Sequence, residues 1–183
     1  MPPHLLVLKI DALHERHTGL MPSQADTYTE TACVCFARYH SAPVMVQLRQ
    51  SEQATHRLVC FTQPDERMKR AYANEIDTTE AGAYCVALAS AEEALGMVAV
   101  RRAETQTGSD WYIAPPGTDP EDLEHCIRLE VSGVGAGSPG AVAERLRQKI
   151  EQTIRGQSNL PAVAIVVGFK SRLVAVSPLG VDR

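Results

Sequence analysis

A chain of 183 residues, 44% apolar and 22% charged, has the balance of an ordinary globular protein and is long enough to bury a core without disulfides or a structural metal. Its formal net charge of −4 excludes a general electrostatic attraction to nucleic acid, so any such contact must come from locally grouped lysines and arginines. No run approaches the ~20 apolar residues of a membrane-spanning helix, and the opening Met1-Pro2-Pro3-His4-Leu5 lacks the charged start of a secretory signal.

In chain order, the first third reads as β. Residues 5–10 and 32–37 are apolar runs on either side of a polar stretch, 14–31. Val44, Val46 and Leu48 alternate with Met45, Gln47 and Arg49, the period of a half-buried strand. Residues 57–61 supply a partner strand across a turn at 50–53. Residues 1–64 are therefore expected to form a small antiparallel β-meander, an N-terminal unit whose open edge suits a protein partner. Met45, Gln47 and Arg49 would be its outer face. Pro64-Asp65 closes the unit, with Asp65 as the cap of a short helix starting at Glu66.

The second unit, 65–183, alternates differently. Thr78 and Thr79 precede a helical run over 80–95, and Gly96 stands where a helix C-terminus prefers it. Strands follow at 97–103, 110–114 and 126–131, the first two joined by a turn at 106–109 and the last preceded by a Pro/Gly loop at 115–120. Ser138-Pro139 starts a helix over 140–154 with Val142, Leu146, Ile150 and Ile154 on one face. Residues 161–169 form an apolar strand buried on both sides, and 173–176 a last short one. The fold class is α/β (α+β), a mixed sheet in the order helix-strand-strand-strand-helix-strand behind the meander.

Two carboxylates stand out. Asp110 opens the second strand of this core, and Glu130 lies in the third, where Arg128, Glu130 and Ser132 share one face and Ile127, Leu129 and Val131 the other. If those strands pair antiparallel, Asp110 and Glu130 converge at one end of the sheet. Converging carboxylates make a hard, oxygen-rich site for Mg²⁺ or Mn²⁺, ions that turn bound water into a nucleophile and stabilise charge on a phosphodiester.

This arrangement resembles the PD-(D/E)XK, or restriction-endonuclease-like, nuclease superfamily. Asp110 matches the Asp of the motif, and Glu130-Val131-Ser132 looks like its (D/E)XK tripeptide, with Ser132 in place of the lysine. The resemblance implies a metal site of Asp110 and Glu130, assisted by Glu80 from the preceding helix, with Glu75 as a weaker candidate. It also implies that the missing lysine or a glutamine comes from the following helix, where Arg145, Lys149 and Gln152 follow spacings of four and three. Lys149 is the best substitute, with Gln152 beside it. The expected activity is metal-dependent hydrolysis of nucleic acid, DNA in preference to RNA, in a cytoplasmic setting such as phage defence. Arg101, Arg102 and Arg145 are candidate contacts to the phosphate backbone. The alternative is a nuclease-like scaffold or nucleic-acid-binding subunit that has lost catalysis.

Other motifs carry less. Gly135-Ala136-Gly137-Ser138-Pro139-Gly140 fits the dinucleotide pattern G-x-G-x-x-G, but Arg128 and Glu130 are out of place in its first strand and too little chain follows for the remaining units. Cys33-Val34-Cys35 with His40 is a weak zinc signal inside an apolar run. The five cysteines read as reduced core thiols, as in cytosolic proteins. His14-Glu15-Arg16-His17 has the wrong spacing for a metalloprotease helix. Tyr112, beside Trp111, is expected to pack in the core.

Overall fold

A computed structural model describes residues 6–104, 107, 109–155 and 158–179. Gln106 and Gly108 of the expected turn, and Leu5 of the first apolar run, lie outside the described residues. The chain is α/β, with one mixed seven-stranded sheet and, among the described residues, four α-helices. In chain order these are α1 (Pro22–Ala37), β1 (Val44–Gln50), β2 (Gln53–Val59), α2 (Glu66–Ala71), α3 (Glu75–Leu95), β3 (Val98–Arg102), β4 (Trp111–Ala114), β5 (Ile127–Val134), α4 (Pro139–Arg155), β6 (Ala162–Gly168) and β7 (Leu173–Leu179). The strand order is β2-β1-β7-β6-β5-β4-β3. β5 runs parallel to β6 and β1 parallel to β7; the other neighbours are antiparallel.

The layers follow from which residues need cover. Val46, Leu48, Leu129, Val131, Ile165, Val167 and Val174 turn one face of the sheet toward Ala32 and Phe36 of α1 and Ala83 and Ala87 of α3. On the other face Val142 and Leu146 of α4 close over Val166, Leu173 and Ala175. With helices on both sides, β6 is buried along its whole length, as its unbroken apolar sequence requires.

Two sequence expectations are corrected here. Residues 32–37 are the buried end of α1, not a strand, and residues 6–8 make only an isolated bridge, Val7 to Leu58. From Thr31 to Phe36 every side chain of α1 is buried, so helical periodicity has nothing exposed to reveal it, and a continuous apolar run reads equally as strand. The expected meander is thus the hairpin β1–β2. Nor does that hairpin form a separate sheet: β1 pairs with β7, with Leu48 opposite Val174, so a boundary at 64/65 divides one sheet.

Helix starts also moved. α3 begins at Glu75 rather than Glu80, because the Asn74 carboxamide accepts the N–H groups of Ile76 and Asp77. Gly96 ends it with φ 65°, the left-handed conformation that glycine adopts freely. Asp65 caps α2 as expected, accepting from the Met68 N–H at 2.7 Å.

Both sheet edges are partly covered. At β2, the Leu58 N–H donates to Leu6 O and the Leu8 N–H donates to Leu58 O. At β3, the Ala99 N–H donates to His17 Nδ1 at 2.9 Å and the Gly19 N–H donates to Ala99 O. His17 therefore completes a strand edge as a neutral imidazole. Its ring is fully buried, and desolvation holds its pKa down to about 4, against an opposing pull from Glu92, whose Oε2 lies 3.4 Å from Nε2. A depressed histidine contributes stability that is complete above its unfolded value near 6.5 and is lost as pH falls toward 4. Urea unfolding should show a loss of about 3 kcal/mol across that window. His17→Asn should flatten that part of the curve, and an unchanged slope would remove the assignment.

Candidate active site

The site is built where β4, β5 and α4 meet. Trp111 of β4 pairs with Leu129 of β5, so continuing the antiparallel register by one residue sets Asp110 opposite Glu130. The Asp110 N–H donates to Leu129 O and the Val131 N–H donates to Asp110 Oδ2, both at 2.8 Å, which ties the carboxylate to the neighbouring strand. Its other oxygen, Oδ1, accepts from Tyr84 Oη at 2.7 Å, with Arg102 Nη2 at 3.5 Å. Arg102 also donates to Tyr84 Oη and lies over the rings of Tyr84 and Trp111 at 4.9 and 5.0 Å. Burial and the adjoining Asp110 carboxylate push the Tyr84 phenol up, so it stays a donor.

Glu130 is 4% exposed. Lys149 reaches it from α4, with Nζ donating to Glu130 Oε1 at 2.6 Å and to Gln152 Oε1 at 3.2 Å. Burial first, and Asp110 second, raise the Glu130 pKa, while the hydrogen bond and charge of Lys149 pull it back. Lys149 arrives there because the covered row of α4 is Val142, Leu146, Lys149 and Thr153; Ile154, expected on that row, is 70% exposed. Val142 and Leu146 are covered as expected and Ile150 is half-buried, but in the last turns the covered row passes to Lys149 and Thr153, which brings the lysine inward.

An open cavity of about 550 Å³ adjoins these groups, lined by residues of α3, β5 and α4 and by Arg38 and Tyr39 just after α1. Glu75, Glu80 and Asp110 supply three carboxylates to it, and Arg38, Arg145 and Lys149 three cations. The Gly135–Ala136 stretch of the glycine-rich segment forms part of its wall, between β5 and α4.

Of the residues singled out in the sequence, Glu130, Lys149 and Gln152 are in direct contact, while Asp110 stands opposite Glu130 in the strand register and lines the same cavity as Lys149. Glu80 and Glu75 line the cavity. Among the described residues no three His, Cys, Asp or Glu side chains are grouped closely enough to hold a metal ion, so Glu80 does not complete a third ligand with Asp110 and Glu130. The two carboxylates still fit Mg²⁺ or Mn²⁺ chemically. Each Asp110 oxygen retains a lone pair, Glu130 Oε2 has no hydrogen bond among the described residues, and Mg²⁺ commonly takes one or two carboxylates and keeps water.

Arg101 pairs with Glu104 and Glu121, away from the cavity. Tyr112 is buried and donates to Glu104. Cys33, Cys35, Cys85 and Cys126 are buried free thiols; Cys60 is exposed. Sequence reasoning missed Tyr84 and the cavity wall formed by Arg38 and Tyr39 after α1. Tyr84 stands four residues after Glu80, a helical neighbour on the same face, which was the available signal. Arg38 and Tyr39 had none, since the helix they follow was read as a strand over 32–37. No helix among the described residues is long and apolar enough to cross a membrane. Compared with protein-family models, curated proteins and solved structures, the chain matches none.

Proposed function

We propose that this chain is a divalent-metal-dependent nuclease of the PD-(D/E)XK kind, hydrolysing phosphodiester bonds of nucleic acid with DNA as the preferred polymer. The observation that carries the reading is the contact of Lys149 with Glu130, 2.6 Å, beside Asp110 at an open cavity. Ser132 stands where the motif's lysine is expected, and α4 brings a lysine to the same carboxylate. The element order α3-β3-β4-β5-α4-β6 within a mixed sheet supports the reading.

A bound Mg²⁺ or Mn²⁺ would activate water and stabilise charge on the phosphoryl group. Asp110 and Glu130 would hold it. Tyr84 and the Val131 N–H fix the orientation of Asp110, and Lys149 positions water or phosphate while Gln152 orients the ammonium. Arg145, exposed at the cavity, suits a backbone phosphate.

Labelled single- and double-stranded DNA and RNA should be cut with Mg²⁺ or Mn²⁺ and left intact in EDTA. Asp110→Ala and Glu130→Ala should each reduce cutting below detection. Cutting that survives both substitutions removes these residues from catalysis.

One observation favours the scaffold alternative. Both carboxylates already face a cation, Arg102 at Asp110 and Lys149 at Glu130, so the site is balanced without metal. The two readings separate on thermal unfolding. A working site raises the midpoint in millimolar Mg²⁺ or Mn²⁺, and a degraded one leaves it unmoved.

A further inference from the structure

Arg102 ends β3, the strand at one edge of the sheet, and stands opposite Trp111 of β4, so both side chains leave the same face. Its guanidinium carbon lies 4.9 Å from the centre of the Tyr84 ring and 5.0 Å from that of Trp111. Both rings are buried, whereas the Arg102 side chain is 48% exposed, so the rings lie beneath the guanidinium and solvent above it. The Tyr84 hydroxyl holds the group further, accepting from Nη2 at 3.2 Å. Tyr28 of α1 extends the surface. It is half-buried, its ring centre is 5.3 Å from that of Tyr84, and its hydroxyl accepts from Gln24 Nε2.

This is a poor setting for a phosphate arm. The charge of Arg102 already faces Asp110, whose Oδ1 is 3.5 Å from Nη2, and a phosphate arriving at that edge would meet the carboxylate. The outer face of the guanidinium carries no such conflict with a neutral ring. Arginine planes and aromatic rings are the surfaces on which unpaired bases stack. A base inside a duplex has both faces covered by its neighbours and cannot use them. Asp110 joins this shelf to the cavity: it lines the cavity and accepts from Tyr84, so a base on Arg102 stands beside a carboxylate that would hold the metal.

We infer that Arg102, backed by Trp111 and Tyr84 and extended by Tyr28, is a stacking platform for an unpaired nucleobase, which makes single-stranded nucleic acid the substrate class of this site. The inference rests on the nuclease reading for the chemistry that follows binding. It moves Arg102 from phosphate contact, the role expected from the sequence, to the selection of strand state.

The test uses the full chain and two labelled oligonucleotides of equal length and charge, one of single-stranded DNA and one abasic throughout. Binding is followed by fluorescence anisotropy in Ca²⁺, a hard ion of the same oxygen-ligand class as Mg²⁺. The parent protein should bind the base-bearing strand about tenfold more tightly, within the range for one stacked base. Arg102→Lys keeps the charge beside Asp110 and removes the planar face. It should shrink that ratio several-fold and leave the abasic affinity at the parent value, with the thermal midpoint confirming that the variant is folded.

Equal affinity of the parent for the two strands, or binding of neither, overturns the proposal without recourse to any variant. An undiminished ratio in folded Arg102→Lys overturns it as well. If base-dependent binding is lost in Arg102→Lys while no polymer is cut in Mg²⁺ or Mn²⁺, the nuclease reading falls and the platform stands. If DNA is cut with Asp110 and Glu130 required while base-bearing and abasic strands bind alike, the platform falls and the nuclease stands.

Discussion

Lys149→Ala is expected to lower metal-dependent cleavage roughly 10²–10³-fold, the effect of losing one preorganised electrostatic contact in an active site. It should also destabilise the fold by about 3 kcal/mol at neutral pH, because it strands a buried charge. The Glu130 side chain is 5% exposed and the Lys149 side chain 19%, so little water is available to replace the ammonium. Burial already raises the Glu130 pKa, and Lys149 is what restrains it. A carboxylate whose folded pKa is raised favours the fold below its unfolded value and costs stability as pH rises through the folded one. Removing Lys149 enlarges that shift. The penalty should therefore be small in acid and grow from the ordinary carboxylate range upward. Adding Glu130→Gln to Lys149→Ala removes the buried charge and should recover most of the stability with none of the activity. Urea denaturation at several pH values checks all of this. A pH-independent penalty would mean that Lys149 acts through packing instead.

Trp111→Ala should cost about 3–5 kcal/mol, the range for deleting a fully enclosed aromatic side chain. The indole is wholly buried at the start of β4, adjacent to Asp110, with the Arg102 guanidinium over one face. Deleting it opens a cavity under both the carboxylate and its cation, so activity should fall with stability. Its Nε1 has no hydrogen-bond partner among the described residues. Trp111→Phe sheds that orphaned N–H and fills more of the space, so it should be markedly cheaper than alanine. Equal costs for the two variants, read from denaturant midpoints, would contradict this account of the packing.

The parts of the fold legible in the sequence are those with one exposed side. β1 shows its alternation because Gln47 and Arg49 meet water while Val46 and Leu48 do not. Ser138-Pro139 marks the start of α4, where the Ser138 hydroxyl accepts from the Ala141 N–H. What failed was burial on all sides. From Thr31 to Phe36, α1 is buried all round against α3 and the sheet, so its apolar residues encircle the helix and leave no stripe; the helix over 80–95 was legible. The site was legible to the extent that it is local in strand register: Asp110 and Glu130 meet through one short antiparallel pair. Its tuning was not legible. Tyr84 and Arg102 reach Asp110 through tertiary packing of α3 and β3, and no spacing along the chain encodes that meeting. Lys149 was identified from its helix, but its place on the covered side follows from the burial of Val142 and Thr153, which the apolar row alone did not reveal.

β7 lies between β1 and β6 and pairs with both. It is the last strand among the described residues, yet it fastens one of the earliest to the centre of the sheet. As the polypeptide leaves the ribosome, the hairpin β1–β2 therefore has no permanent neighbour on its β1 side until β7 has emerged. The closing step joins strands far apart in sequence, and such closures are slow because the intervening chain must be ordered first. Until then β1 presents a bare row of peptide groups that another nascent chain can pair with. The protein's most vulnerable interval is thus the one before β7 is available, and truncation ahead of β7 leaves an adhesive edge rather than a smaller sheet.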